Sequence, residues 1–209
     1  LRESLRNVFD GRAGTLVVEG EPGIGKSHLL DAARRTLADA GEVTWLVVET
    51  DDLPRGSFGA FVPVVADLFF LELAADDEGR RALFDLGIEG LRETCANATH
   101  PAAGEVAALL GRDASFLGAL VGLRWPDSPY EQHDPRARQV RTARAIDTLL
   151  RAEALRRPTV LHVRDAHWLD EESAALLRRL DDSTRVVPLA LLVDRRPPSL
   201  DRDPLDALL

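Results

Sequence analysis

Two hydrophobic patterns alternate along this chain. Continuous apolar, β-branched runs over residues 15–19, 43–49, 159–163 and 186–193 read as buried strands. Between them, apolar residues recur every three or four positions, the period of a helix with one buried face. Leu1, Leu5, Val8 and Phe9 give this spacing over residues 1–10, closed by Asp10-Gly11. Leu29, Leu30, Ala33 and Leu37 repeat it over residues 25–40, with Gly41 as the stop. A third helix is predicted over 134–157, with Asp134 as N-cap, Pro135 at its first position and Val140, Ala143, Ile146 and Leu150 as the buried stripe. Arg156-Arg157-Pro158 ends it, with cations at the negative end of the dipole. Asp170 caps a fourth, with Glu171 and Glu172 in the first turn and Leu176, Leu177 and Leu180 inward.

Strands alternating with long helical crossovers imply an α/β fold, a parallel sheet of about four strands sandwiched by helices. Residues 53–133 interrupt that rhythm. Pro54, Gly56, Gly59 and Pro63 punctuate the start, and Val64, Val65, Leu68 and Leu71 then suggest a helix. Segments 82–98 and 102–110 read as further helices, 115–123 as a short apolar stretch and 125–129 as a loop. The region is expected to be a helical insertion between strands two and three.

The chemistry concentrates where the first strand meets the first long helix. Gly20-Glu21-Pro22-Gly23-Ile24-Gly25-Lys26-Ser27 fits the phosphate loop G-x-x-x-x-G-K-[ST] at every fixed position, in strand–loop–helix context, and His28 follows it into the helix. Glycines let the backbone curl with its N–H groups inward around phosphate, and the helix N-terminus adds partial positive charge. Lys26 is expected to reach the β- and γ-phosphates, and the Ser27 hydroxyl to ligate Mg²⁺. Lys26 is also the chain's one lysine. An arginine fork fits such a cradle less well than a compact ammonium. These residues select a P-loop NTPase and make ATP with Mg²⁺ the expected cofactors.

Composition narrows the partners. A net charge of −9 argues against nucleic-acid binding by this domain alone, which needs a basic face. The most apolar stretch, residues 61–75, carries Asp67 and Glu72 and is too short to span a bilayer. The single cysteine, Cys95, fits a reducing cytoplasm. The 209 residues contain no methionine, which suggests a fragment or an excised domain. His28, His100, His133 and His162 share no ligand spacing, so a histidine metal site is not expected.

Residues 159–170, Thr-Val-Leu-His-Val-Arg-Asp-Ala-His-Trp-Leu-Asp, resemble the second nucleotide motif of the AAA-like P-loop ATPase domains in bacterial multidomain signalling ATPases, as in large LuxR-type transcription regulators. That motif runs from an apolar strand through two acids to a small residue, His or Gln, Trp, any residue and Asp; Ala166-His167-Trp168-Leu169-Asp170 matches its tail. Arg157-Pro158, Phe58-Gly59 and Arg196-Pro197 are weaker likenesses. Self-association is a separate expectation; the resemblance implies an ATP-binding switch module of a longer cytoplasmic chain, with DNA binding in a separate domain. It also implies a core left incomplete over 1–209, with the next strand and a helical lid beyond Leu209 and a Gly-Arg-Glu segment ahead of the first helix.

One departure bears on catalysis. Aligned on the motif's tail, Arg164 takes the first acidic position and Asp165 the second; in the other register Asp165 is first and Ala166 second. Asp165 is then the candidate for both catalysis and the metal, with Lys26 beside it as a catalytic candidate. A +1 charge at ~5 Å from a +2 ion, at an effective dielectric of about 20, repels it by roughly 6 to 7 kcal/mol before screening. Both registers predict weak hydrolysis, unless Asp170 or Glu19 takes over the acid's role. Arg195 or Arg196 is a candidate γ-phosphate sensor. The alternatives to an ATP switch are a degenerate P-loop domain used as an interaction platform, and a small-molecule kinase.

Overall fold

The computed structural model describes residues 14–38, 41, 43–52 and 56–197. The predicted helix over residues 1–10 lies outside them. Four parallel strands, β1 (Thr15–Glu19), β2 (Thr44–Glu49), β3 (Thr159–Arg164) and β4 (Leu189–Arg195), form one sheet in the order β1-β4-β3-β2. Helical crossovers cover the faces of a parallel sheet, so the two central strands, β4 and β3, are almost wholly buried, whereas β1 and β2 at its two sides are mostly half-buried.

The phosphate-loop helix α1 (Lys26–Ala38) covers one face. Its Leu30 and Leu37 pack with Val160, Ala190 and Leu192. The other face carries Leu161, Val163, Leu191 and Val193, which join one large core with α5 (Pro135–Arg156) and α6 (Glu171–Thr184). Between β2 and α5 lie α2 (Val62–Leu68), α3 (Asp77–Asn97) and α4 (Ala103–Leu120).

The structure departs from the sequence pattern in several places: the helix expected over 82–98 begins at Asp77, β4 begins at Leu189 and not at 186, and Leu29, expected on the buried stripe of α1, is 53% exposed. Segments 102–110 and 115–123 belong largely to one helix, α4, because the polar residue in its middle, Asp113, is buried and paired with Arg141 of α5 at 3.1 Å. Val140 faces solvent at 65% exposure, whereas Ile146 and Leu150 are buried as expected. β4 runs two residues further than predicted, through Asp194 and Arg195, both buried. The caps match: Asp134 accepts from the Ala137 N–H at 2.9 Å, and Asp170 from the Ser173 N–H at 2.9 Å.

Candidate nucleotide site

β1 delivers the chain into the glycine-rich turn at Gly20, whose N–H donates to the Arg195 carbonyl on β4 at 3.3 Å. Gly23 (φ 80°) and Gly25 (φ 96°) take left-handed conformations that only glycine adopts freely. The loop curls back on itself through an Ile24 N–H to Glu21 carbonyl bond of 3.3 Å. The Lys26 Nζ donates to the carbonyls of Gly20 (2.6 Å) and Glu21 (3.2 Å), so the ammonium sits inside the curl. Ser27 and His28 are exposed in the first turn of α1, as are Glu21, Pro22, Gly23, Ile24 and Gly25 in the loop. A glycine-rich turn folded over one ammonium, at a helix N-terminus whose N–H groups carry partial positive charge, fits a phosphate chain once the ammonium turns from the Gly20 and Glu21 carbonyls to phosphate.

The acidic motif sits two strands away. Arg164 ends β3, and its Nη1 donates to Glu49 Oε1 at the end of β2 at 3.0 Å. Asp165 leaves the strand in a left-handed conformation (φ 49°) with its side chain exposed. The Thr50 hydroxyl lies 2.7 Å from both the Arg164 and Asp165 carbonyls. Asp170 serves as helix cap, bonded also to the Ser173 hydroxyl at 2.6 Å, and Glu19 contacts Arg195 at 3.2 Å. Both alternative acids are thus engaged. Arg195 has its buried side chain on Glu19, while Arg196 is exposed. The His167 ring lies 5.0 Å from that of Trp168, which is 45% exposed.

One functional candidate escaped the sequence reading, and its partner is a histidine weighed there only as a metal ligand. Asp194, buried on β4, accepts from the Asp165 N–H at 3.1 Å through Oδ1 and contacts His162 Nε2 at 2.9 Å through Oδ2. Burial pushes the Asp194 carboxyl up, but bonds from His162 and the Asp165 N–H, with the charges of His162 and Arg164, outweigh it and hold the carboxyl below its ordinary value. The signal was a carboxylate closing an apolar strand and a histidine inside another, 32 residues apart in sequence.

A family model for the AAA ATPase domain matches residues 1–193. The chain belongs to the AAA ATPase domain family. A protein of Rhizobium meliloti (strain 1021) described as uncharacterized is 28% identical over 201 residues, covering 91% of this chain. The chain spans 17% of that relative's length. No solved structure matches. The parallel α/β sheet and the loop around Lys26 agree with this AAA ATPase assignment, which supports a P-loop, nucleotide-binding module. Among the described residues, no helix of this AAA domain is long and apolar enough to cross a membrane. None of their His, Cys, Asp and Glu side chains gather in threes that could hold a metal.

Proposed function

We propose that this AAA domain is an ATP-binding switch module of a multidomain, cytoplasmic signalling or transcription-regulatory protein, with slow hydrolysis. The observation that carries the reading is the phosphate loop, complete in sequence and curled around Lys26. The loop's N–H groups and Lys26 hold the β- and γ-phosphates, and Ser27 gives its hydroxyl to Mg²⁺. When bound, Mg²⁺ neutralises charge that develops on the phosphates. Asp165 orients the attacking water from its exposed position. The multidomain setting is supported by the small share of the Rhizobium relative that the chain spans and by the likeness of residues 159–170 to signalling ATPases. DNA contact and any self-association fall to other parts of the protein or to other copies; the acidic balance of this domain is unfavourable for DNA.

Slow hydrolysis follows from Arg164, a fixed cation where the motif places an acid. That same residue supports the second reading, a degenerate platform without turnover. Calorimetry with ATP tests the first. Lys26→Ala is expected to weaken binding by at least about tenfold, because a charge-assisted contact is lost. Equal affinities in the two proteins would refute a phosphate role for the loop.

A further inference from the structure

β3 ends in arginine, yet a carboxylate stands at the end of the adjacent strand. β4 lies between β3 and β1 in the sheet, so its carboxyl end is nearer the phosphate loop than that of β3. Asp194 pairs in register with Val18, two residues before Gly20, and the next residue, Arg195, accepts the Gly20 N–H. Its direction is also fixed. Side chains alternate along a strand, so Asp194 shares a face with Ala190 and Leu192, which pack against Leu30 and Leu37 of α1. That is the face over which Lys26 and Ser27 open α1. Arg164 lies on the same face of β3, one strand further out, with its guanidinium turned to Glu49 on β2.

We propose that Asp194 supplies the carboxylate for Mg²⁺ that the end of β3 lacks, so that the metal-side acid has moved one strand towards the phosphate loop. The inference rests on the ATP-binding reading above. The donor set suits the ion. Mg²⁺ binds through one or two carboxylates together with phosphate oxygens and waters, and Asp194, Ser27 and the phosphates provide that combination. Each Asp194 oxygen accepts one bond from the protein, from Asp165 N–H and from the His162 side. A carboxylate oxygen has two lone-pair positions, which leaves one on each for the metal or a water bound to it. His162 and the Asp165 N–H then act as an outer layer that orients the ligand, as metal-binding carboxylates are commonly oriented. Asp165 stays free for water.

A purely structural pair with His162 is the competing account, and the two differ in how nucleotide affinity depends on metal. The measurement is the affinity of the full-length protein for a fluorescent ATP analogue, with Mg²⁺ and with EDTA. Wild type is expected to bind at least about tenfold more tightly with Mg²⁺. In Asp194→Asn the ratio falls towards one while the EDTA affinity holds. In Asp165→Asn the ratio persists. Restoring an acid on β3, in Asp194→Asn with Arg164→Asp, brings the ratio back; a merely structural defect would not be rescued this way. If Asp194→Asn does not melt cooperatively, Asp194→Ser, which keeps a polar side chain at the strand end without a carboxylate, takes its place. An unchanged ratio in the Asp194 variant, or a collapse that Arg164→Asp does not repair, overturns the proposal. A wild type that binds ATP equally with and without Mg²⁺ also overturns it, yet leaves ATP binding standing. No binding in either condition would instead sink the reading of the phosphate loop.

Discussion

Arg164 at the end of β3 holds Glu49 at the end of β2 across 3.0 Å, between residues paired in parallel register. Glu49 is 60% exposed, so water and salt screen the pair, and such pairs contribute about 0–1 kcal/mol. Its importance lies in direction. The guanidinium is drawn to the outer strand, which lessens its repulsion of a cation near the loop without removing it.

Slow turnover is expected from this arrangement. Arg164→Asp removes the positive charge and adds a second acid, and should raise single-turnover ATP hydrolysis by about tenfold or more. The check is quenched-flow or filter assay of ³²P release with enzyme in excess. Brisk hydrolysis by the wild type that Arg164→Asp fails to improve would remove Arg164 from the account.

The sheet was legible because its strands are continuous apolar runs, and the phosphate loop because its spacing is local. What local pattern could not show was pairing at a distance. The apolar run that marks β4 in the sequence stops at Val193; in the fold Asp194 is buried against His162, and Arg195 against Glu19, 176 residues earlier. The two apolar segments 102–110 and 115–123 belong largely to one helix because Asp113, which lies between them, is buried against Arg141, 28 residues on. Val140 was misread because helix periodicity gives a stripe without saying how far along it the core extends. Arg164 could be seen as a departure from the motif, but its partner on β2 could not.

The helices between β2 and β3 pack through glycines. A Cβ on Gly118 of α4 would lie 2.2 Å from Cζ3 of Trp125, whose ring in turn sits 5.5 Å from Phe84 of α3. Real side-chain atoms do not approach so closely, so Trp125 must move and disturb Phe84. Gly118→Ala is expected to destabilise the protein by about 1–3 kcal/mol through overpacking, despite alanine's better helix propensity. Urea denaturation followed by tryptophan fluorescence reads this as a lower midpoint. A midpoint equal to or above wild type would mean that the ring slot is looser than its geometry indicates.

Acid should expose the role of Asp194 in stability. Its carboxyl is held below the ordinary value in the fold, by His162 and the Asp165 N–H against the opposing effect of burial. A group whose folded value is depressed binds protons more readily in the unfolded chain. Its stabilisation is therefore complete above the unfolded value of about 3.9 and is lost as pH falls through the lower folded value. Asp194→Asn removes the titration. At neutral pH the variant should be less stable than wild type by about 1–3 kcal/mol, since a charge-assisted contact in a buried place is weakened. The gap should narrow once pH drops below about 4, because the wild type alone pays for protonating this side chain. Urea unfolding of both proteins between neutral and strongly acid pH measures the gap directly. A gap that stays constant through the acid range would show that the Asp194 carboxyl is not held ionised by the fold, and its contacts with His162 and the Asp165 N–H would have to be those of a neutral acid.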